Sequence, residues 1–346
     1  MTMDVTIKKR FGDFLLDLSF CATGGVMGLL GASGSGKSKT LQCIAGIEMP
    51  DEGRIVINDK VLFDGQRHID VAVQKRRVAY LFQHYALFPN MTCRENIACA
   101  LHSMRDRKEK KRRLDGILDA MHLQEVASLK PSQLSGGQQQ RTALARCLMQ
   151  EPDVLLLDEP FSALDTFLKE QLMVELLRVL DDYDGNVIIV THSHEEAYSL
   201  CQHIAILDRG HICESGSVET LFSTPTTKAG ARLMGYHNIV DAVPKGPYEV
   251  AVPAWGISFE TARPVEPGLC AIAIHETGFV NEGAPSYGID MRQSLAYSGK
   301  RIGRFRFAHQ QAGTPDIWWQ GEQALLDATN IAIPVSYTHL TLPTVA

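Results

Sequence analysis

The sequence predicts an α/β protein whose three-layer core carries a helical insertion and is followed by a small β-barrel-like domain. Three observations support this fold class. In the first part of the chain, short apolar runs alternate with helical segments, as in a sheet covered by helices. Between about residues 92 and 150 the pattern is helical. After about Tyr236 prolines accumulate and helical periodicity disappears, which indicates short strands.

The core strands are expected where short apolar runs recur. These runs lie at residues 25–30, 54–58, 77–82, 154–157, 187–190 and 204–207. The first run enters a glycine-rich loop, and a helix is expected to leave that loop over residues 38–45. An amphipathic helix is expected over residues 169–180.

The tail is expected to be a separate β domain. Short strands are predicted at residues 249–252, 270–275 and 304–308. The predicted domains are therefore residues 1–235, with a helical subdomain at about 84–150, and residues 236–335. Residues 336–346 continue no pattern and are left as an uncertain tail.

Composition and charge are those of an ordinary globular protein. Of the 346 residues, 45% are hydrophobic and 21% are charged, and the length suffices for two domains. No apolar run approaches the roughly 20 residues that span a bilayer. The net charge of −6 argues against a general nucleic-acid binder. The eight cysteines are scattered without a C-x-x-C pair, which indicates reduced thiols in a cytosol.

Residues 31–38 read Gly-Ala-Ser-Gly-Ser-Gly-Lys-Ser, the G-x-x-x-x-G-K-S pattern of a phosphate loop. Its glycines let backbone N–H groups surround phosphate oxygens, and the next helix points its positive end at the same charge. Lys37 is expected to reach the β- and γ-phosphates and to act in catalysis, and Ser38 is expected to bind Mg²⁺. The expected nucleotide-binding residues here are Gly31, Ser33, Gly34, Ser35, Gly36, Lys37, Ser38, Lys39 and Thr40.

Two further motifs follow along the chain. The apolar run 154–157 delivers Asp158 and Glu159 to the carboxyl edge of the sheet, unless the two acids only cap a following helix. Between this run and the phosphate loop, residues 134–138 read Leu-Ser-Gly-Gly-Gln. Together and in this order, the three motifs resemble the ATP-binding cassette (ABC) family.

The resemblance implies roles for residues around the phosphates. Asp158 would complete the Mg²⁺ shell, and Glu159 would polarise the attacking water. His192, at the end of another predicted strand, would contact the γ-phosphate and hold Glu159, although a lone histidine is more often structural. Gln83 matches the family's glutamine loop, so it is expected to act in catalysis and to complete the Mg²⁺ shell.

Other residues are assigned by the same resemblance. Phe11 would stack on adenine, with Phe14 as the second choice and core packing as the alternative for either. Lys39 departs from the family, whose members usually carry a small hydroxyl residue there that touches the α-phosphate. The signature residues Ser135, Gly136, Gly137 and Gln138 would face the ATP of the opposite subunit.

The implied assembly is a head-to-tail dimer of two copies that holds two ATP molecules at its interface. Residues 162–165 match the loop that crosses this interface. Residues 74–92 resemble importer ATPases, so the dimer would lie at the cytoplasmic face of the membrane on two transmembrane permease subunits. An external solute-binding protein would act indirectly, and no nucleic acid is expected. Residues 85–88 would line a groove for a permease helix, with core packing as the alternative.

The expected cargo is an oxyanion. Residues 61–65 and the β tail resemble molybdate importer ATPases in particular, which predicts uptake of molybdate or tungstate. Sulfate, iron(III) and polyamine importers share much of the pattern and remain alternatives. A soluble ABC-type regulator that is not coupled to transport is a remote alternative. The basic residues of segment 104–113 are either a solvated face or a contact to lipid headgroups or a permease.

Overall fold

The computed structural model describes residues 2–102, 104–162, 166–181, 183–260, 265, 270–274, 286–297, 300–307, 310, 317–321, 330–332 and 341–343. The chain divides into two compact units, Met1–Val218 and Glu219–Ala346. The sequence places the domain boundary after residue 235, and the domain limits stay a prediction. In the part of the chain that the structure describes, no helix is long and apolar enough to cross a membrane.

The first unit contains two sheets. Its strands are β1 (Thr2–Phe11), β2 (Phe14–Thr23), β3 (Val26–Gly31), β4 (Glu52–Ile57), β5 (Lys60–Asp64), β6 (Ile69–Asp70), β7 (Val78–Leu81), β8 (Val154–Asp158), β9 (Asn186–Thr191), β10 (His203–Asp208) and β11 (His211–Ser217). Its helices are α1 (Lys37–Ala45), α2 (Cys93–Ala98), α3 (Arg107–Ala120), α4 (Gly136–Leu148), α5 (Thr166–Asp181) and α6 (His194–Leu200).

The central sheet has the order β11-β10-β3-β9-β8-β7. Strands β10, β3, β9, β8 and β7 are mutually parallel, and β11 pairs antiparallel with β10. Every residue of β3, β8 and β9 is buried, which is why these strands read as continuous apolar runs. Because the five strands are parallel, their carboxyl ends meet at one edge, where ligands bind in such sheets.

A second, antiparallel sheet has the order β2-β1-β4-β5-β6. The sequence prediction missed β1 and β2, although Met3, Val5 and Ile7 alternate with exposed residues in the period of a half-buried strand. One hydrophobic core joins both sheets to α1, with Val5, Leu29 and Leu41 among its members. This second sheet positions the β1–β2 hairpin, where Phe11 and Phe14 pair with each other.

The helical insertion follows β7, where the sequence predicts it. Thr92 begins α2 with a capping box closed by Glu95, and the Asp106 carboxylate accepts two backbone N–H groups at the start of α3. Helix α4 begins with a second capping box, between Ser135 and Gln138. Helix α5 covers the amphipathic segment predicted over residues 169–180.

The second unit begins within α7 (Val218–Ser223), which is followed by α8 (Lys228–Leu233). Its strands are β12 (Asn238–Gly246), β13 (Glu249–Val252), β14 (Ile257–Glu260), β15 (Cys270–Ile274), β16 (Ser286–Tyr297), β17 (Lys300–Phe307), β18 (Ile317–Gly321), β19 (Asn330–Ala332) and β20 (Thr341–Pro343).

These strands form one sheet with the order β14-β13-β12-β15-β20 and another with the order β18-β17-β16-β19. Strands β13, β15 and β17 coincide with the predicted strands, except for His275 and Ala308, which lie outside the described residues. Neither sheet closes on itself in the pairings that the structure describes, so the β-barrel-like arrangement is not confirmed.

Candidate nucleotide-binding site

The phosphate loop joins β3 to α1 at the carboxyl edge of the central sheet. Gly36 precedes α1 with a φ of 107°, and a Cβ there would lie 2.8 Å from Leu16 Cδ1. A Cβ on Gly31 would lie 2.4 Å from the carbonyl oxygen of Leu207. Both positions therefore require glycine, because the backbone of the loop passes close to its neighbours there.

Lys37 is buried, with 5% of the residue exposed. Its ammonium donates hydrogen bonds to the carbonyl oxygens of Gly31, at 2.8 Å, and Ala32, at 3.0 Å. Burial lowers the pKa of Lys37, and the negative charges of Glu159 and Asp158 oppose this shift. An ammonium has three donors, so one is left for an anion, which would relieve the cost of burying the charge. This arrangement fits a phosphate group.

Asp158 ends β8 and is buried. Ser38 Oγ donates to its Oδ1 at 2.8 Å, and the Tyr80 hydroxyl donates to its Oδ2 at 2.7 Å. Burial and the charge of Asp158 raise the pKa of Tyr80 well above its usual value, so the phenol keeps its proton. The carboxylate and hydroxyl oxygens of Asp158 and Ser38 are the hard ligands that suit Mg²⁺.

Sequence reasoning missed Tyr80. The hydroxyl side chain interrupts the apolar run of β7, three residues before Gln83 and 78 positions before its partner Asp158. A tyrosine in a strand of the central sheet needs a hydrogen-bond partner for its hydroxyl, and this need is what the sequence indicates. The sequence does not identify the partner residue.

Glu159 follows Asp158 with a φ of 46°, a left-handed conformation that residues other than glycine rarely adopt. Its N–H donates to the Val190 carbonyl oxygen of the neighbouring strand at 3.0 Å. Gln83 Nε2 donates to Glu159 Oε2 at 3.3 Å, and His192 Nδ1 lies 3.5 Å from Glu159 Oε1. The ends of β7, β8 and β9 thus bring three of the four predicted catalytic residues together, with Gln83 and His192 beside the Glu159 carboxylate, as in sites that orient a water molecule.

Gln83 and Glu159 line a cleft of about 360 Å³, whereas His192 is not among the described residues that line it. The described residues that line it are Phe11, Phe14, Ser33, Gly34, Gly36, Lys37, Ser38, Lys39, Gln83 and Glu159. Both aromatic candidates therefore lie at the cleft, and each is half-buried. Thr40 is fully buried, and its hydroxyl donates to the Gly36 carbonyl oxygen within α1. Ser35 is also buried, beside Gly31.

The signature residues do not line this cleft among the described residues. Ser135 Oγ accepts from the N–H of Gln138 at 3.3 Å, and Gln138 Oε1 accepts from the N–H of Ser135 at 2.9 Å. Both side chains thus cap α4, with Gly136 and Gly137 as its first residues. They present a helix start apart from the cleft of their own chain.

Two other predicted surfaces are only partly described. Ser162 is exposed, whereas residues 163–165 of the predicted interface loop lie outside the described residues. Of the predicted permease groove, Ala86 and Phe88 are exposed and Tyr85 is buried. The core-packing alternative therefore applies to Tyr85.

The fold and this cleft define a nucleotide-binding protein of the phosphate-loop class. A family model for the ABC transporter matches residues 15–162. The chain is 42% identical over 234 residues to the probable sulfate/thiosulfate import ATP-binding protein CysA of Chlorella vulgaris, covering 66% of this chain and 96% of the relative. The chain belongs to the ABC transporter family, and its first unit carries that family's ATP-binding domain, an ATPase.

Two further comparisons agree. The sulfate/thiosulfate import ATP-binding protein CysA of Synechocystis sp. is 40% identical over 243 residues, covering 69% of this chain and 66% of the relative. The match thus spans about two thirds of that relative's length. The ATP-binding cassette MJ0796, solved as a dimer in a post-hydrolysis state bound to ADP and Pi, superposes with a TM-score of 0.54 at 28% identity. That match covers 63% of this chain and 99% of MJ0796.

Proposed function

We propose that this chain is the ATP-hydrolysing subunit of an ABC importer that takes up sulfate or thiosulfate. The observation that carries the ATPase role is the position of Glu159, held by Gln83 and His192 beside the cleft that contains Lys37. The cargo follows the names of the CysA relatives, which support the sulfate alternative better than the predicted molybdate.

The proposed roles follow from the geometry of the cleft. Lys37 and the N–H groups of the phosphate loop bind the phosphates of ATP. Ser38 and Asp158, with Gln83, hold Mg²⁺, which supplies charge neutralisation at the phosphates. Glu159 accepts a hydrogen bond from the attacking water and so orients it, while His192 and Gln83 fix the carboxylate.

The proposed assembly is a dimer of this chain. Ser135, Gly136, Gly137 and Gln138 form a helix start outside the cleft of their own chain, where a second copy could meet it. The dimeric state of MJ0796 supports this arrangement. Two permease subunits and, indirectly, an external solute-binding protein complete the importer, with this chain peripheral at the cytoplasmic face of the membrane.

Uptake by intact cells tests the proposal. Deletion of the gene is expected to abolish uptake of labelled sulfate and thiosulfate, and the unaltered gene should restore it while Glu159→Gln should not. If molybdate uptake is lost instead, the cargo is the molybdate that the sequence predicts. If iron or polyamine uptake is lost, the importer takes up that solute. If the uptake of none of these solutes changes, the chain is not the subunit of an importer for them. A soluble regulator then becomes the favoured alternative.

A further inference from the structure

His192 reaches the Glu159 carboxylate from an exposed position. Its side chain is 62% exposed, and its Nδ1 lies 3.5 Å from Glu159 Oε1. Packing restrains an exposed side chain only weakly, so the backbone that carries the imidazole must set its position. That backbone joins the end of β9, at Thr191, to the start of α6, at His194. The contacts that hold this segment therefore bear on the proposed catalytic geometry.

The residues on either side of His192 are held by side-chain hydrogen bonds. Thr191 is buried, and its Oγ1 accepts a hydrogen bond from the N–H of Ser193 at 3.0 Å. The same hydroxyl donates to Glu196 Oε2. Ser193 Oγ in turn accepts from the N–H of Glu196 at 3.3 Å and so caps α6. Thr191 and Glu196 thus fix the backbone on both sides of His192.

Glu196 is a buried carboxylate whose two oxygens have different partners. Its side chain is 7% exposed, and its Oε1 lies 2.7 Å from the ammonium of Lys169. A buried charge is costly unless it is paired, so this ion pair allows a carboxylate at the position. Lys169 lies near the start of α5, and the pair therefore ties that helix to the segment that carries His192.

This network and the proposed catalytic carboxylate border one cavity of about 200 Å³. The described residues that line it are Glu159, Phe161, Ser162, Lys169, Thr191, His192 and Glu196. The residues of the phosphate loop are not among them. The network is thus placed to act on the pair of Glu159 and His192, and not on the phosphates themselves.

We propose that Glu196 is a positioning residue, which holds His192 beside Glu159 through Thr191, while Lys169 balances its buried charge. The inference rests on the proposed function, since it requires that His192 fix Glu159 during ATP hydrolysis. Glu196 then acts on the rate of the chemical step and leaves the binding of ATP unchanged.

Two substitutions break the network at different points. Glu196→Gln keeps the shape, but an amide has one acceptor oxygen and cannot accept from both Thr191 and Lys169. It is expected to lower kcat about tenfold, because small displacements of a catalytic group are costly. Thr191→Val keeps the ion pair and removes only the hydroxyl, which should lower kcat about fivefold. In both variants KM for ATP should stay within about twofold, because the phosphate loop is untouched.

The His192→Ala background separates positioning from a general loss of structure. If the network acts through His192, neither substitution should lower the residual kcat of His192→Ala any further. Phosphate release by the full chain, at ATP concentrations that span KM, measures each variant, and thermal unfolding shows which variants are folded. If Glu196→Gln does not fold, Thr191→Val decides the test by itself.

The matched control is Asp153→Asn. The Asp153 carboxylate lies 3.2 Å from Arg77 Nε and directly precedes β8, at the end of the strand opposite to Glu159. This substitution also turns a paired carboxylate into an amide, but away from the cavity of the network. Its kcat and KM should be those of the unaltered chain.

Three results would overturn the inference. One is an unchanged kcat in Glu196→Gln and Thr191→Val. Another is an equal fall of kcat in the His192→Ala background, since the network would then act without His192. The third is a raised KM at unchanged kcat, which would place the effect in nucleotide binding. If the unaltered chain released no phosphate, or if His192→Ala were fully active, the proposed function itself would fail, which is distinguishable from all three.

Discussion

The proposed nucleotide cleft has two ends that are built differently, a proposed phosphate end at Lys37 and a proposed base end at Phe11. At the phosphate end, Lys37 and Asp158 are buried and bonded to the phosphate loop, Ser38 and Tyr80. At the base end, the half-buried Phe11 is flanked by the ammonium groups of two lysines whose carboxylate partners are partly exposed. Burial therefore fixes the side chains of the phosphate end, whereas the ion pairs of the base end are exposed to water.

The physical reason is the cost of an unpaired buried charge. Removing one partner of a buried charged hydrogen bond leaves the other desolvated, and this penalty is large. Water takes over when an exposed partner is removed, so the penalty at the base end is small. Substitutions at the phosphate end should therefore have larger effects than those at the base end.

The largest effect is expected from Lys37→Met. The loss of the buried ammonium at the phosphates should lower ATP turnover by about 10⁴-fold, within the range for a group that stabilises charge in phosphoryl transfer. Phosphate release at saturating ATP measures it. Lys9→Met is the control from the base end, where the Lys9 ammonium lies 5.3 Å from the centroid of the Phe11 ring. Similar activities of the two variants would contradict the difference between the two ends of the cleft.

Glu159→Gln should come next. Loss of the carboxylate that we propose orients the water is expected to lower turnover about 10³-fold, as for other groups that act on the nucleophile. ATP binding should persist, because the amide has the same shape and the phosphate loop is untouched. Phosphate release and ATP titration separate the two effects, and gel filtration should show an ATP-dependent dimer. Normal turnover would remove Glu159 from this role.

Tyr80→Phe tests how Asp158 is supported in the proposed Mg²⁺ site. Loss of one hydrogen bond to Asp158, about 1 kcal/mol, should raise the Mg²⁺ concentration needed for half-maximal turnover about fivefold. Turnover at saturating Mg²⁺ should stay close to that of the unaltered chain, and Mn²⁺ binding followed by EPR in the presence of ATP should weaken in parallel.

The control for this variant is Tyr183→Phe. Tyr183 donates to the Pro152 carbonyl oxygen at 2.8 Å, away from the cleft lining. It should lose similar stability in thermal unfolding without any change in metal dependence. An unchanged Mg²⁺ dependence in Tyr80→Phe would show that Ser38 alone fixes Asp158.

The smallest effect is expected from Phe11→Ala. Loss of a stacking surface worth about 1 kcal/mol should weaken ATP binding roughly fivefold, whereas Phe11→Tyr should bind normally. ATP titration measures both variants. Phe14→Ala decides between the two candidate rings. If it weakens ATP binding more than Phe11→Ala does, at unchanged thermal stability, then Phe14 rather than Phe11 stacks on the base.

The sequence predicted much of the site because its motifs act locally. A glycine-rich loop between a strand and a helix surrounds a phosphate with its own backbone N–H groups. Residues 31–38 therefore predicted a phosphate loop without information on long-range contacts. The apolar run before Asp158 predicted a buried strand, and the structure buries every residue of it.

The strands β1 and β2 were missed although their alternation was visible, because a second sheet was not expected beside the parallel one. In the second unit, the sequence located individual strands. It could not give their sheet order, which depends on strand pairs such as Ala271 and Leu342 that lie 71 residues apart.

The sequence by itself thus determined the class of site, its phosphate loop and the carboxylates at the sheet edge. Only the tertiary structure decided which groups share a carboxylate: Tyr80 with Ser38 on Asp158, and Lys39 with Glu48 rather than with the solvent. The reason is that a motif fixes backbone geometry over a few residues, whereas a side-chain partner is chosen by how distant strands and helices pack.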